Sequence, residues 1–406
     1  MIRHKVFETA DLPLEVVILL IAGMMMLIAG ILLFPVHAGV LPFYENGLYG
    51  LLLFIFALQT ILLGRTPFGD LRRSRLLLAA GTIVAALGIV TCFVPDLPNR
   101  IPRMTLFFCF APGGFLLLLQ MFLSEDKFSA WLRYGGIFRH LILGCTAVYV
   151  LSMFIGLLIL QHGLPTRPLT AVMVLLSGAA IVYLAVVLRK IYRAYPEAEQ
   201  KGGGDGELPS DKTMMLVTGI FMLLLGVLLI PVSLGLLPFS GSAQLGLLMV
   251  IFSVQMLASG NTPIGPFPRS WLMILFGLLF AALGIVSSII PEILVAPLTL
   301  LIGLLNITNG LITLWKVSRT CLPLLKKGEE PRAPLPPILF KLYAVQATMG
   351  VLALLFGTSM LVSHLLPALV VGVVLAANGG VLLFLLYILM ELDRMQRAPE
   401  NAPIAV

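Results

Sequence analysis

The chain has 406 residues, 59% of them hydrophobic and 11% charged, with a mean hydropathy of +1.06. Soluble domains carry about 25% charged residues, so a soluble fold is excluded, and most soluble enzyme classes with it. A net charge of +7 and a pI near 9.3 point towards nucleic acid only until the basic residues are placed relative to a membrane. Once they are placed, no nucleic-acid partner is expected.

In chain order, Met1 to Glu15 mixes Arg3, His4 and Lys5 with Glu8, Asp11 and Glu15. The apolar run that follows continues past Phe34 without a cleavage pattern and is expected to be a retained first membrane helix. A helix needs about 20 apolar residues to cross the hydrocarbon layer. Runs bounded by charge, proline or glycine fall at 14–34, 46–64, 75–94, 104–123, 138–160, 168–188, 214–231, 244–260, 270–290, 293–315, 339–362 and 366–390. With these twelve spans, 23 of the 26 lysines and arginines collect on one side, and only Arg100, Arg103 and Arg167 face the other. Cytoplasmic loops accumulate basic residues during insertion. Both termini are therefore expected in the cytoplasm, the protein in a bacterial inner membrane, and its surroundings a lipid bilayer.

A sequence repeat organises the spans. Gly30–Asp96 aligns without a gap on Gly226–Glu292 at an offset of 196, with identity at 30 of 67 positions. Matches include Pro35/Pro231, Gly39/Gly235, Leu41-Pro42-Phe43 against Leu237-Pro238-Phe239, Gln59/Gln255 and Thr66-Pro67/Thr262-Pro263. An offset near 201 still pairs Gly156 with Gly357 and Gly178 with Gly379. Six spans per unit return each half to its starting side, so the halves are parallel rather than inverted. The expected fold is an all-α integral membrane protein of about twelve transmembrane helices, in two parallel six-helix repeats of three helical hairpins each. Residues 1–190 form the first repeat and 213–395 the second, with a cytoplasmic linker at 191–212 and a cytoplasmic tail at 396–406.

Within the repeats, glycines seven apart mark the first helix of five of the six hairpins: Gly23/Gly30, Gly81/Gly88, Gly219/Gly226, Gly277/Gly284 and Gly350/Gly357. Seven residues is close to two helical turns, so each pair shares a face on which a neighbouring backbone can approach closely. Proline is expected to close most of these helices at the outer surface, at Pro35, Pro95, Pro231 and Pro291.

Glycine-marked, proline-ended hairpins of this kind resemble the HdeD-like family of small bacterial inner-membrane proteins, best in the stretch Trp271 to Trp315. The resemblance implies a non-enzymatic membrane protein associated with acid or envelope stress, here as two family-sized units fused. Twelve spans in two parallel halves also resemble the major facilitator superfamily. The loop Gly69-Asp70-Leu71-Arg72-Arg73-Ser74-Arg75 is similar to that family's signature, but with Leu71 and Arg73 where a basic residue and a glycine belong. A positive-inside anchor is the plainer reading of that loop.

Every Asp, Glu, Lys and Arg falls at or beyond an expected helix end, Glu15 and Lys341 coming closest to entering, which disfavours proton relay through the membrane centre. The candidate polar interior is amide: Gln59, Gln255, Asn306, Asn309 and Asn378, with Gln120 beside them. Gln59 and Gln255 occupy equivalent places in the two repeats. Interhelical hydrogen bonding is the plain reading, worth roughly 1 kcal/mol each, and a polar substrate path the alternative. His37, His162 and His364, with Glu45, Asp96 and Glu292, are expected near the outer surface, where protonation would suit an acid-stress role. Cys92, Cys109, Cys145 and Cys321 form no CxxC. No catalytic residue, metal site or cofactor is expected. Two functions remain: a structural or stress-associated membrane protein, or a carrier for a small neutral or amphipathic molecule, which needs a polar cavity between the halves. Protein partners and substrate are not legible in the sequence.

Overall fold

The computed structural model describes residues 12–70, 75–95, 100–162, 168–196, 210–262, 265–266, 270–326, 337–362 and 365–397. Twelve helices among them are long and apolar enough to cross a bilayer, and the protein is an all-α multipass membrane protein. They are α1 (Leu14–His37), α2 (Glu45–Leu63), α3 (Arg75–Phe93), α4 (Arg100–Leu123), α5 (Ile137–His162), α6 (Pro168–Ala194), α7 (Ser210–Ser233), α8 (Gly241–Ser259), α9 (Trp271–Ile289), α10 (Val295–Lys326), α11 (Pro337–Leu361) and α12 (Ala368–Arg397). A π-helical turn, Glu125–Ser129, runs into one short helix, Ala130–Tyr134. Two tight turns carry minimal ladders, β1 (Arg65–Thr66) with β2 (Gly69–Asp70), and β3 (Asn261–Thr262) with β4 (Gly265–Pro266).

Several helices outrun their apolar stretches. α10 has 32 residues, about 48 Å of helix against a hydrocarbon core of about 30 Å. Its last turns therefore carry Lys316 and Arg319 beyond the apolar run. Pro35 and Pro231 do not close their helices, contrary to expectation. They lie inside α1 and α7, which end two residues later at His37 and Ser233. The stop is a shared turn: Gly39 donates to Val36 O and Val40 to Pro35 O, while Gly235 donates to Val232 O and Leu236 to Pro231 O. Gly39 and Gly235 both sit at φ +71°, a left-handed conformation in which glycine has no Cβ to clash.

By packing, the helices fall into two compact units that cut across the repeat: α1–α6 with α8 and α9 in the first, and α7 with α10–α12 in the second. The closest pairs are not always consecutive hairpins. In the first unit α1 lies on α6, α2 on α3, α8 on α9 and α4 on α5. In the second, α7 lies on α12 and α10 on α11.

Glycine sets these approaches. A Cβ on Gly30 would lie 2.7 Å from the Leu175 backbone, on Gly88 2.8 Å from Gly50 O, on Gly284 2.5 Å from Gly246 O and on Gly226 2.2 Å from Ala376 N. Gly23 and Gly219 face Gly178 and Gly379, and Gly350 and Gly357 face Gly310 and Gly303. Gly81 and Gly277 instead receive the side chains of Ile61 and Leu257.

The centre of the first unit expresses the 196-residue repeat directly. Tyr44 N donates to Ile289 O and Ser240 N to Phe93 O, both at 2.9 Å; each partner pair maps onto the other under the offset. Asn46 Nδ2 donates to Pro95 O at 2.9 Å, and Ser242, its equivalent, to Ser287 O at 2.5 Å. Phe93 packs on Phe239 with ring centroids 5.7 Å apart. Tyr49, Phe54, Cys92, Phe93, Leu247 and Met249 are fully buried here. Large apolar residues such as Ile31, Leu76, Ile83 and Phe115 are exposed elsewhere on the unit, as side chains in contact with lipid are.

Candidate functional site

The first unit holds a cavity of about 330 Å³ among α1, α2, α4, α5 and α6. Along α1 its wall runs from Glu15 to Met26, eleven residues or roughly 16 Å of helix. Leu52, Ile55, Phe56 and Gln59 follow on α2, Phe110 to Gln120 on α4, Leu141 to Ser152 on α5, and Ser177 to Leu188 on α6. The lining is graded. Towards the membrane interior it is methyl and aromatic, with Met25, Met26, Leu52, Phe56 and Phe110; towards the end where α1 begins it is polar, with Glu15, Gln59, Thr66, Gln120 and Lys127. Few polar groups at one end of an apolar cleft is the usual pattern of a small-molecule site.

Glu15 is the second residue of α1 and only 9% exposed. The Tyr192 hydroxyl of α6 donates to its carboxylate. A carboxylate at this depth is costly unless hydrogen-bonded, and tyrosine supplies the bond from the helix that the glycines bring closest. Gln120, at the end of α4, lies against Gly69 in the β1–β2 turn, at φ +145°, where a Cβ would reach 3.2 Å from its Oε1. That Oε1 is buried and has no hydrogen-bond partner. Lys127 reaches the cavity from the π-helical turn and Trp131 from the helix after it. π-Turns recur at functional sites because they re-aim side chains.

At the opposite membrane face the first unit is held by ions rather than opened. Arg103 Nη2 pairs with Glu45 Oε1 at 3.4 Å, and the Tyr49 hydroxyl donates to the same oxygen at 2.5 Å. Ser152 spends its hydroxyl on Phe110 O at 2.9 Å, so the deep end offers little free polarity.

Of the amides named from sequence, Gln120 and Gln59 line the cavity. Gln255, the repeat partner of Gln59, is half-buried on α8 and does not line the cavity. Asn306 donates to Ile302 O at 2.9 Å and Asn309 Oδ1 accepts from Thr313 at 3.4 Å, both on their own helix in the second unit. Asn378 is half-buried on α12. The cavity is thus inside the first repeat, not lined by amides from both. His37 is exposed at the end of α1. Asp96, His364 and the linker at 197–209 lie outside the described residues, as does the side chain of His162. Among the described residues no group of His, Cys, Asp and Glu is arranged to hold a metal ion.

Sequence reasoning missed Glu15, Tyr192, Lys127 and Trp131 as one constellation, because nothing in the sequence pairs α1 with α6. The signal that existed was Glu15 itself, an acid placed at the start of an unbroken apolar run.

No protein-family model matches the chain, nor does any curated protein or solved structure. Fold and cavity define a multipass membrane protein, with twelve long apolar helices among its described residues and a small-molecule-sized cavity in its first unit.

Proposed function

We propose that the protein is a membrane carrier for a small amphipathic molecule, and that its binding site is the cavity inside the first unit rather than the cavity between the halves expected from the sequence. The observation that carries this reading is the graded lining, polar from Glu15 to Lys127 and apolar from Met25 to Phe110. A cavity of about 330 Å³ lies at the small end of the range for ligand pockets, which suits a short-chain amphipath. Glu15 and the buried Gln120 Oε1 are both acceptors, so the favoured headgroup donates hydrogen bonds, as an amine or hydroxyl does. The basic-residue asymmetry supports a polar end on the cytoplasmic side of a bacterial inner membrane, with both termini there. No enzymatic step is assigned to the site.

The test is saturable binding of three radiolabelled ten-carbon probes, an amine, an alcohol and a carboxylate, to purified protein by scintillation proximity. The amine and alcohol are expected to bind and the carboxylate to bind at least about tenfold more weakly, since an unpaired buried acceptor facing an anion costs about 1.4 kcal/mol or more. Ala22→Phe, which projects a ring into the cavity from a buried position on α1, should abolish binding. Indistinguishable binding by wild type and Ala22→Phe for all three probes would remove the proposal.

A further inference from the structure

We infer that the end of α6 and the start of α9, joined by the stack of Arg189 on Trp271, form a binding site for a phosphate group, supplied by an anionic phospholipid. Arg189 sits in the last turns of α6, and its guanidinium lies 4.8 Å above the ring of Trp271, the first residue of α9. Its Nε and Nη2 are buried and neither has a hydrogen-bond acceptor. Two buried donors on a permanent charge are not left unmade without a partner, and no carboxylate of the described residues pairs with them.

The surroundings reinforce the positive field. Arg193 follows one helical turn along the same face, and Lys190 is exposed beside it. α9 begins at this point with Ser270 as its cap, the hydroxyl accepting from Met273 N at 3.3 Å, so the positive end of that helix dipole adds to the charge. Nε and Nη2 are the adjacent edge of a planar fork, the pair of donors that engages two oxygens of one phosphate. Stacking on Trp271 fixes the plane of that fork.

Placement selects the lipid as the source. Trp271 is 40% exposed at the boundary end of a spanning helix, where indole rings sit at the level of headgroups. Basic grooves between spanning helices on the cytoplasmic side are headgroup sites, and two neighbouring cations favour an anionic over a zwitterionic lipid. This site is separate from the cavity and does not depend on the carrier reading.

The experiment is native mass spectrometry of the full-length protein in micelles holding equal amounts of phosphatidylglycerol and phosphatidylcholine. Wild type is expected to retain one phosphatidylglycerol with about fivefold or greater preference. Arg189→Gln should lose that preference, while Lys190→Gln, which removes one neighbouring charge but not the fork, should weaken it only in part, by about twofold. If Arg189→Gln fails to accumulate, Arg189→Lys keeps the charge but not the fork and is expected to weaken retention about threefold. A parallel arm adds inorganic phosphate at about 10 mM; with the Debye length near 10 Å or longer, failure to displace the lipid assigns the site to the headgroup, and displacement would overturn the lipid as its source. Equal retention by wild type, Arg189→Gln and Arg189→Lys would overturn the site itself.

Discussion

Gly379 and Gly380 are neighbours on α12 with opposite surroundings. A Cβ on Gly379 would lie 2.4 Å from Leu223 N and 2.7 Å from Gly219 O on α7, whereas a Cβ on Gly380 would meet nothing within 4 Å. Alanine at either site gains about 1 kcal/mol of helix propensity. At Gly379 the two helices must also separate by roughly 1 Å to restore ordinary contact, and a gap of that size forfeits up to about half of each dispersion well along the seam. Overpacking of this kind costs about 1–3 kcal/mol. Gly379→Ala is therefore expected to destabilise by up to about 2 kcal/mol after the propensity gain, and Gly380→Ala to be neutral or stabilising by up to about 1 kcal/mol. Reversible unfolding in mixed micelles, followed by circular dichroism, measures both. Equal shifts for the two variants would refute the claim that glycine seams set the helix pairing.

Other substitutions probe separate parts of the fold. Ser242→Ala removes a buried hydroxyl that donates to Ser287 O and should cost about 1 kcal/mol in the same unfolding assay; no change would mean the repeat-related contacts at the centre of the first unit are not formed. Tyr192→Phe removes the hydroxyl that donates to buried Glu15 and should cost about 1–3 kcal/mol in the same assay. An unchanged midpoint in this variant would contradict the bond between α1 and α6. Arg103→Gln breaks a partly exposed ion pair with Glu45, and the loss should stay below about 1 kcal/mol and vanish in high salt.

Much of the architecture is legible because membranes constrain sequence severely. Backbone groups must be satisfied inside each span, so apolar run length identifies the twelve long helices found among the described residues. The glycine pairs are readable as close-approach faces because no other residue permits a carbonyl at the distances seen beside Gly88 and Gly284. What they approach is not readable: lipid is as apolar as leucine, so hydrophobicity does not say whether α1 packs on α2 or on α6. The cavity follows from that hidden pairing, and Glu15 and Tyr192, 177 positions apart, meet only because Gly23 and Gly178 let α1 and α6 touch. Helix ends were misread at Pro35 and Pro231 because proline is tolerated in a last turn whose own carbonyls are capped by the following glycine.

Cysteine alkylation in native membranes tests the cavity most directly. Cys109 and Cys145 line it, while Cys92 is fully buried between α3, α2 and α8, its thiol near Gly47 O and Ala243 O. With N-ethylmaleimide and peptide-level mass spectrometry, Cys109 and Cys145 should be modified at least about tenfold faster than Cys92, because reaction requires access as well as ionisation. The ten-carbon amine should protect both cavity thiols and leave Cys92 unchanged. Equal rates at Cys92 and Cys145, or no protection at either cavity thiol, would contradict an accessible binding cavity in the first unit.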